Sequence, residues 1–238
     1  MLTIVDIISP AEQGQTRPFL CRADDGQAYF VKRAGIAGHK ALIAEWLAGH
    51  LAHQLNLPVP AFDIAEVPPG LLALLPAEER RAWGNSPAFA SKKVDNVVEL
   101  RFTDIAKVPV VVQAQVLLFD AWIGNADRCL GEKGGNPNML WSDHDQGLTI
   151  IDHNLAFEDS PALVRQEHAF AAAASEWDLV FTSDWPQRLA AAAAQVTGVW
   201  AAMPDVWVEE AAGLISLERV QERLRLFTNV NDPAWNIA

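Results

Sequence analysis

A chain of 238 residues that is 50% hydrophobic can bury a sizeable core, as one large domain or as two smaller ones. A formal net charge of −12 argues against a nucleic-acid partner, which calls for a surplus of Lys and Arg. No apolar run reaches the roughly 18 residues of a membrane span, Asp6, Glu12 and Arg17 interrupt any secretory core, and two cysteines are too few for a disulfide framework. The expectation is a cytoplasmic protein. Acidity is uneven: residues 1–110 hold 11 Lys/Arg against 12 Asp/Glu, and residues 111–238 hold 7 against 18. That asymmetry suggests two parts with different jobs, or simply a solvated acidic surface on the second.

The first third reads as strands. Residues 2–8 are apolar and β-branched and stop at Ser9–Pro10; a second run, 18–22, leads into the turn signal Asp24-Asp25-Gly26, and Tyr29–Lys32 resumes as a strand. From about Gly38 to Leu55 the apolar residues fall three and four apart, which predicts a helix ended by Pro58 and Pro60. A short strand is expected over 62–67 and a short helix in the Pro-Ala-Glu-Glu-Arg-Arg stretch; residues 89–94 suit either a strand or a connection. Val110–Ile123 is too long for an average strand and is read as a helix, residues 124–137 as a polar loop. From Ser160 onward the pattern is helical, closing on an amphipathic helix at about 216–227, with Trp185, Trp200 and Trp207 placed in the core. Strands with one helix, then mostly helices, is an α+β order.

Residues 138–152 carry the densest chemistry. Two apolar runs flank the turn-rich Ser142–Gly147 stretch, which predicts a β-hairpin; with the turn centred on Asp145, Leu140 faces Ile150 and Asn138 faces Asp152. An amide oxygen and a carboxylate so opposed would start roughly 4.5–5.5 Å apart and suit one hard cation such as magnesium; a plain hairpin with a polar pair at its open end is the alternative. Just upstream, Asp127 in Gly124-Asn125-Ala126-Asp127-Arg128 is a carboxylate able to orient an attacking hydroxyl and take its proton. Arg128 either neutralises a carboxylate or contacts phosphate.

These stretches, 124–128, 136–141 and 148–157, resemble the catalytic and metal-binding loops of the HipA-like kinases, a family similar to the phosphoinositide kinases and to the protein-kinase-like fold. Upstream, Tyr29–Lys32 resembles the family's lysine strand, and 42–60 its glutamate helix with a Leu-Pro-x-Pro exit, so the resemblance covers roughly 14–158. It implies a bilobal α+β fold, with an N-lobe over 1–94 and a C-lobe over 95–238, acting on ATP with Mg2+ and a protein substrate of unknown identity. It further implies Lys32 on the phosphates and paired with Glu45, Asp127 and Arg128 as catalytic residues, and Asn138 and Asp152 as magnesium ligands. Gly14 and Thr16 would lie over the phosphates, and 89–94, with Ser91, would line the adenine. Two departures stand out: Cys129 takes the place where the family usually has histidine, and Asp127 precedes Asn138 by eleven residues rather than about five. The surplus, 130–135, lengthens the catalytic loop. An active kinase that modifies Ser/Thr, a nucleotide-binding interaction module without turnover, and a protein nucleotidyl transferase are the readings to separate. A zinc site from His144, Asp145 and His153 fits no ligand spacing, and exposed turn residues are expected there.

Overall fold

Strand β1 (Leu2–Pro10) pairs antiparallel with β2 (Phe19–Ala23), β2 with β3 (Ala28–Lys32), and β3 with β5 (Ala88–Lys92). Strand β4 (Phe62–Glu66) pairs antiparallel with β5 and parallel with β1 through Leu2 and Ala65, which closes the five strands into a barrel. The computed structural model describes residues 1–11, 17–84, 86–158, 168–176, 180 and 184–228. The expected phosphate loop at Gly14 and Thr16 lies outside them.

Alternation builds the barrel core. Phe19, Cys21 and Ala23 of β2 are buried in step with Tyr29 and Val31 of β3, as a period of two requires. Facing them are Ile4, Ala65, Ala88 and Ala90, and the many small side chains suit so tight a closure. Trp83, at the end of α4 (Ala77–Trp83), joins that cluster, its ring 5.5 Å from Phe19. Residues 89–94 are thus strand through Lys92, and Ser91 sits in the ladder between Phe30 and Phe62.

The chain forms two compact units: Met1–Trp46, Pro60–Asp95 and Met203–Leu214 in one, Leu47–Val59, Asn96–Ala202 and Ile215–Ala238 in the other. The short helix α7 (Asp205–Glu210) belongs to the barrel unit, where buried Trp207 donates its indole N–H to the Pro87 carbonyl at 2.9 Å. Of the three tryptophans placed in the core, Trp185 and Trp207 are buried; Trp200 is half-buried, at the end of an exposed-faced helix.

In the second unit, α5 (Val110–Ile123) is buried at every position from Val116 to Ile123, so it is the central helix rather than a surface one. It stops at Gly124, whose φ of 68° is left-handed, and the Asn125 N–H closes back on the Asp120 carbonyl at 2.9 Å. A Cβ at Gly124 would sit 2.9 Å from the Glu158 carbonyl oxygen, so no other residue fits. From α8 (Leu217–Leu224), Arg223 donates to the Trp122 and Ala121 carbonyls, a cation on the last turn where the helix dipole favours one. A three-stranded sheet, in the order β10 (Gly147–Ile150), β9 (Met139–Ser142), β6 (Val98–Glu99), completes what positions the site.

Residues 124–137 are not a plain loop. Cys129–Gly131 and Gly134–Asn136 pair as a second hairpin, β7 and β8, with Cys129 opposite Asn136. Glycine density hid it: three glycines in eight positions read as loop, but Gly135 is what allows the two backbones to meet. Among the described residues no helix is long and apolar enough to cross a membrane.

Candidate active site

In the barrel unit, Lys32 closes β3 and Glu45 lies in α2 (His39–Gln54); both side chains are buried and form an ion pair. Two charges are retained out of water only when each supplies the other's partner.

The β9–β10 hairpin is displaced by one residue from the expected register. Ile150 faces Met139 and Thr149 faces Leu140, so Asn138 and Asp152 are not directly opposed. Two physical causes agree. Met139, Trp141, Leu148 and Ile150 are the buried apolar residues, and only this register stacks them pairwise on one face. The turn holds four residues between Ser142 and Gly147, with Gln146 at φ 50°, and Ser142 Oγ accepts the Asp145 N–H at 3.1 Å. Past the last pair, the Ile151 N–H donates to the Asn138 carbonyl at 2.9 Å. Both candidate ligands then leave the pleat in left-handed backbone, Asn138 at φ 46° and Asp152 at φ 57°. Asn and Asp are the side-chain-bearing residues that adopt this conformation most readily, and such outliers gather at functional sites.

Asp127 is half-buried, and its Oδ2 accepts an N–H from the Asn138 amide at 3.1 Å and another from the Asn136 amide at 2.9 Å. The Asn138 nitrogen is thus turned to Asp127, which leaves its oxygen as the end able to meet a cation. Amide oxygen and carboxylate are hard donors of the kind magnesium takes, so the residues fit that ion, with phosphate and water filling its other positions. Among the described residues no three His, Cys, Asp or Glu converge on a metal position. The surplus residues do not lengthen the path from Asp127 to Asn138. Pairing brings Cys129 and Asn136 to roughly 4.5–5.5 Å, little more than the ~3.8 Å between chain neighbours, so 130–135 are looped out.

Arg128 points inward and is almost wholly buried. Its Nε donates to Asp120 Oδ2 at 2.6 Å, and its Nη1 donates to the carbonyls of Asn138, Ile151 (3.2 Å) and Pro137 (3.4 Å). The contact with Asp120 is that of a cation neutralising a carboxylate, and the carbonyl contacts come in addition. One guanidinium therefore ties down the backbone at Asn138 and just before Asp152. Asp120, fully buried in α5, also accepts from Asn125 Nδ2 at 2.9 Å and His168 Nε2 at 3.0 Å. Burial alone would raise the Asp120 pKa; Arg128, with His168, overrides it and holds the carboxyl well below the usual range. Burial lowers the His168 pKa, although Asp120 pulls it the other way. Its Nδ1 accepts the Phe170 N–H at 2.9 Å, so the neutral ring donates from Nε2.

Asp120 and His168 were missed from sequence. Asp120 sits in an apolar helix, where a lone carboxylate is itself a signal; His168 lies 48 residues away with no motif around it. His168 also pairs with Cys129 across an isolated bridge, and the Ala169 N–H donates to the Arg128 carbonyl at 2.8 Å. So the loop that lacks a histidine after Asp127-Arg128 has one packed alongside it. His144 and Asp145 are exposed as expected, but His153 is buried, edge-on to Phe119 at 5.9 Å.

The sequence profile of a family described as HipA-like kinase matches residues 4–236. The chain belongs to the HipA-like kinase family. Among solved structures, a Helicobacter pylori proinflammatory kinase, CtkA, is similar with a TM-score of 0.54 at 12% identity, covering 97% of this chain and 94% of that one. That likeness shows the fold: a mixed α+β kinase-like structure, strand-rich toward the N-terminus and helical toward the C-terminus. The FAT and kinase domain of CtTel1 covers 92% of this chain and 21% of its own at 15% identity, with a TM-score of 0.28 that carries no weight. A comparison with curated protein sequences finds no match.

Proposed function

We propose that this HipA-like kinase is a Mg-ATP-dependent phosphotransferase that phosphorylates Ser/Thr hydroxyls on a protein, acting in the cytoplasm. The observation that carries the reading is Asp127, half-buried and oriented by two amide donors, one of them from the candidate metal ligand Asn138. In this reading Asp127 orients the acceptor hydroxyl and takes its proton as the oxygen attacks the γ-phosphorus and the bond to ADP breaks. Asn138 and Asp152 would hold magnesium, which when bound neutralises charge on the phosphates. Lys32, kept in place by Glu45, supplies the fixed cation for the phosphates, and Arg128 is a positioning residue beneath the metal ligands rather than a phosphate contact.

Calorimetry of ATP binding with and without magnesium, on wild type and Asp152→Ala, joined to label transfer from ATP on wild type and Asp127→Asn, tests this. Binding should need magnesium and weaken at least about tenfold in Asp152→Ala; Asp127→Asn should bind ATP but transfer roughly 100-fold more slowly. Wild-type transfer in Asp127→Asn would refute the assignment of the base. Binding without turnover would instead favour the nucleotide-binding interaction module, and an AMP-sized mass added to a protein would favour nucleotidyl transfer.

A further inference from the structure

Asp127 is gripped from two sides, and only one of the two asparagines is a candidate metal ligand. We propose that Asn136 is a positioning residue for Asp127, delivered by the β7–β8 hairpin; this rests on the kinase reading above. A carboxylate on a loop turns freely about its last bond, and a base that turns is a poor base. Two N–H donors on Oδ2, at 2.9 Å and 3.1 Å, fix the plane of the group and leave Oδ1, which neither amide touches, for the hydroxyl proton.

Asn138 alone would serve this poorly, because its oxygen is the end that would hold the cation. Asn136 is not a candidate metal ligand. It is held instead by strand pairing: β8 is locked to β7 through Asn136 opposite Cys129, two residues after the base it orients. The hairpin is tight enough that a Cβ on Gly135 would lie 2.4 Å from the Cys129 carbonyl oxygen and 2.9 Å from its carbon. Buried Pro137 then fixes the backbone between the two asparagines. The looped-out residues 130–135 thus close the hairpin that presents Asn136 to Asp127.

Label transfer to the chain itself and to casein, with thermal midpoints measured in parallel, tests the role. Asn136→Ala should lower kcat roughly tenfold, leaving KM for ATP and the thermal midpoint unchanged. Asn136→Asp, which sets a second carboxylate against the first, should be slower still, and Asn136→Gln should recover part of the loss. Gly135→Ala should lower kcat by a similar factor, and adding Asn136→Ala to it should cost nothing further, because both break one contact. Independently of turnover, the Asn136 side-chain amide resonances should move in Asp127→Ala. Unmoved resonances would overturn the proposal, as would wild-type kcat in Asn136→Ala. Resonances that move in a protein without any phosphoryl transfer would count against the kinase reading while upholding the Asn136–Asp127 contact.

Discussion

Replacing Asp120 by Asn should be among the most damaging single-atom changes in this protein. Its two carboxylate oxygens accept from Arg128 Nε and Nη2, His168 Nε2 and Asn125 Nδ2, all in a place closed to water. An amide has one acceptor oxygen and brings two N–H groups of its own, so at least two of the four donors lose their partner. Arg128 would also be left charged, buried and uncompensated. Breaking such a pair typically costs about 3–5 kcal/mol, a large part of the roughly 5–15 kcal/mol that holds a native protein together. At about 2–4 °C per kcal/mol for a chain of this size, the thermal midpoint should fall by roughly 6–20 °C. Urea unfolding followed by circular dichroism reads the change as a lower midpoint at constant slope. The double variant Asp120→Leu with Arg128→Met should regain only part of that stability, since it removes the buried charge but leaves His168 Nε2 and Asn125 Nδ2 without their acceptor. It should still lose magnesium-dependent ATP binding, because the carbonyls of Pro137, Asn138 and Ile151 no longer share a donor. A loss below about 1 kcal/mol in Asp120→Asn would refute the view that this ion pair is structural.

Acid should weaken the fold first through His168. Burial holds its pKa below the ordinary 6.5, so the unfolded chain takes up a proton that the folded one resists; stability should fall as pH drops below about 6.5, by up to about 1.4 kcal/mol per unit. Urea midpoints between pH 7 and 5 check this, and His168→Asn should flatten the slope. Asp120, whose pKa is depressed from 3.8, contributes stability above that value and loses it only as pH falls further, so its window opens at lower pH than that of His168. In the barrel unit, Gly35→Ala would drive a Cβ to 2.1 Å from the Ala82 carbonyl oxygen, and an unfolding midpoint lowered by about 1–3 kcal/mol is expected.

What the sequence determined by itself is local. The strands of the barrel, the helices α2 and α5 and the existence of the β9–β10 hairpin follow from periods of two and 3.6 and from turn residues, signals carried by near neighbours. The pairing of Lys32 with Glu45 followed from the family resemblance and not from local signals, and the two do meet as a buried pair. What only the tertiary structure decided depends on partners far away in sequence or on backbone angles that no side chain announces. Barrel closure through Leu2 and Ala65 joins two strands about sixty residues apart. The register of the β9–β10 hairpin turned on the left-handed Gln146 and on which face found a core, and a one-residue error there moved both candidate ligands. Arg128 faced inward because Asp120 was already buried in α5, and His168 joined them from 48 residues away. Buried polar groups choose whichever partner the fold brings, because leaving one unpaired costs more than any local preference gains. The β7–β8 hairpin shows the same division: its residues read as loop, and only their pairing put Asn136 beside Asp127.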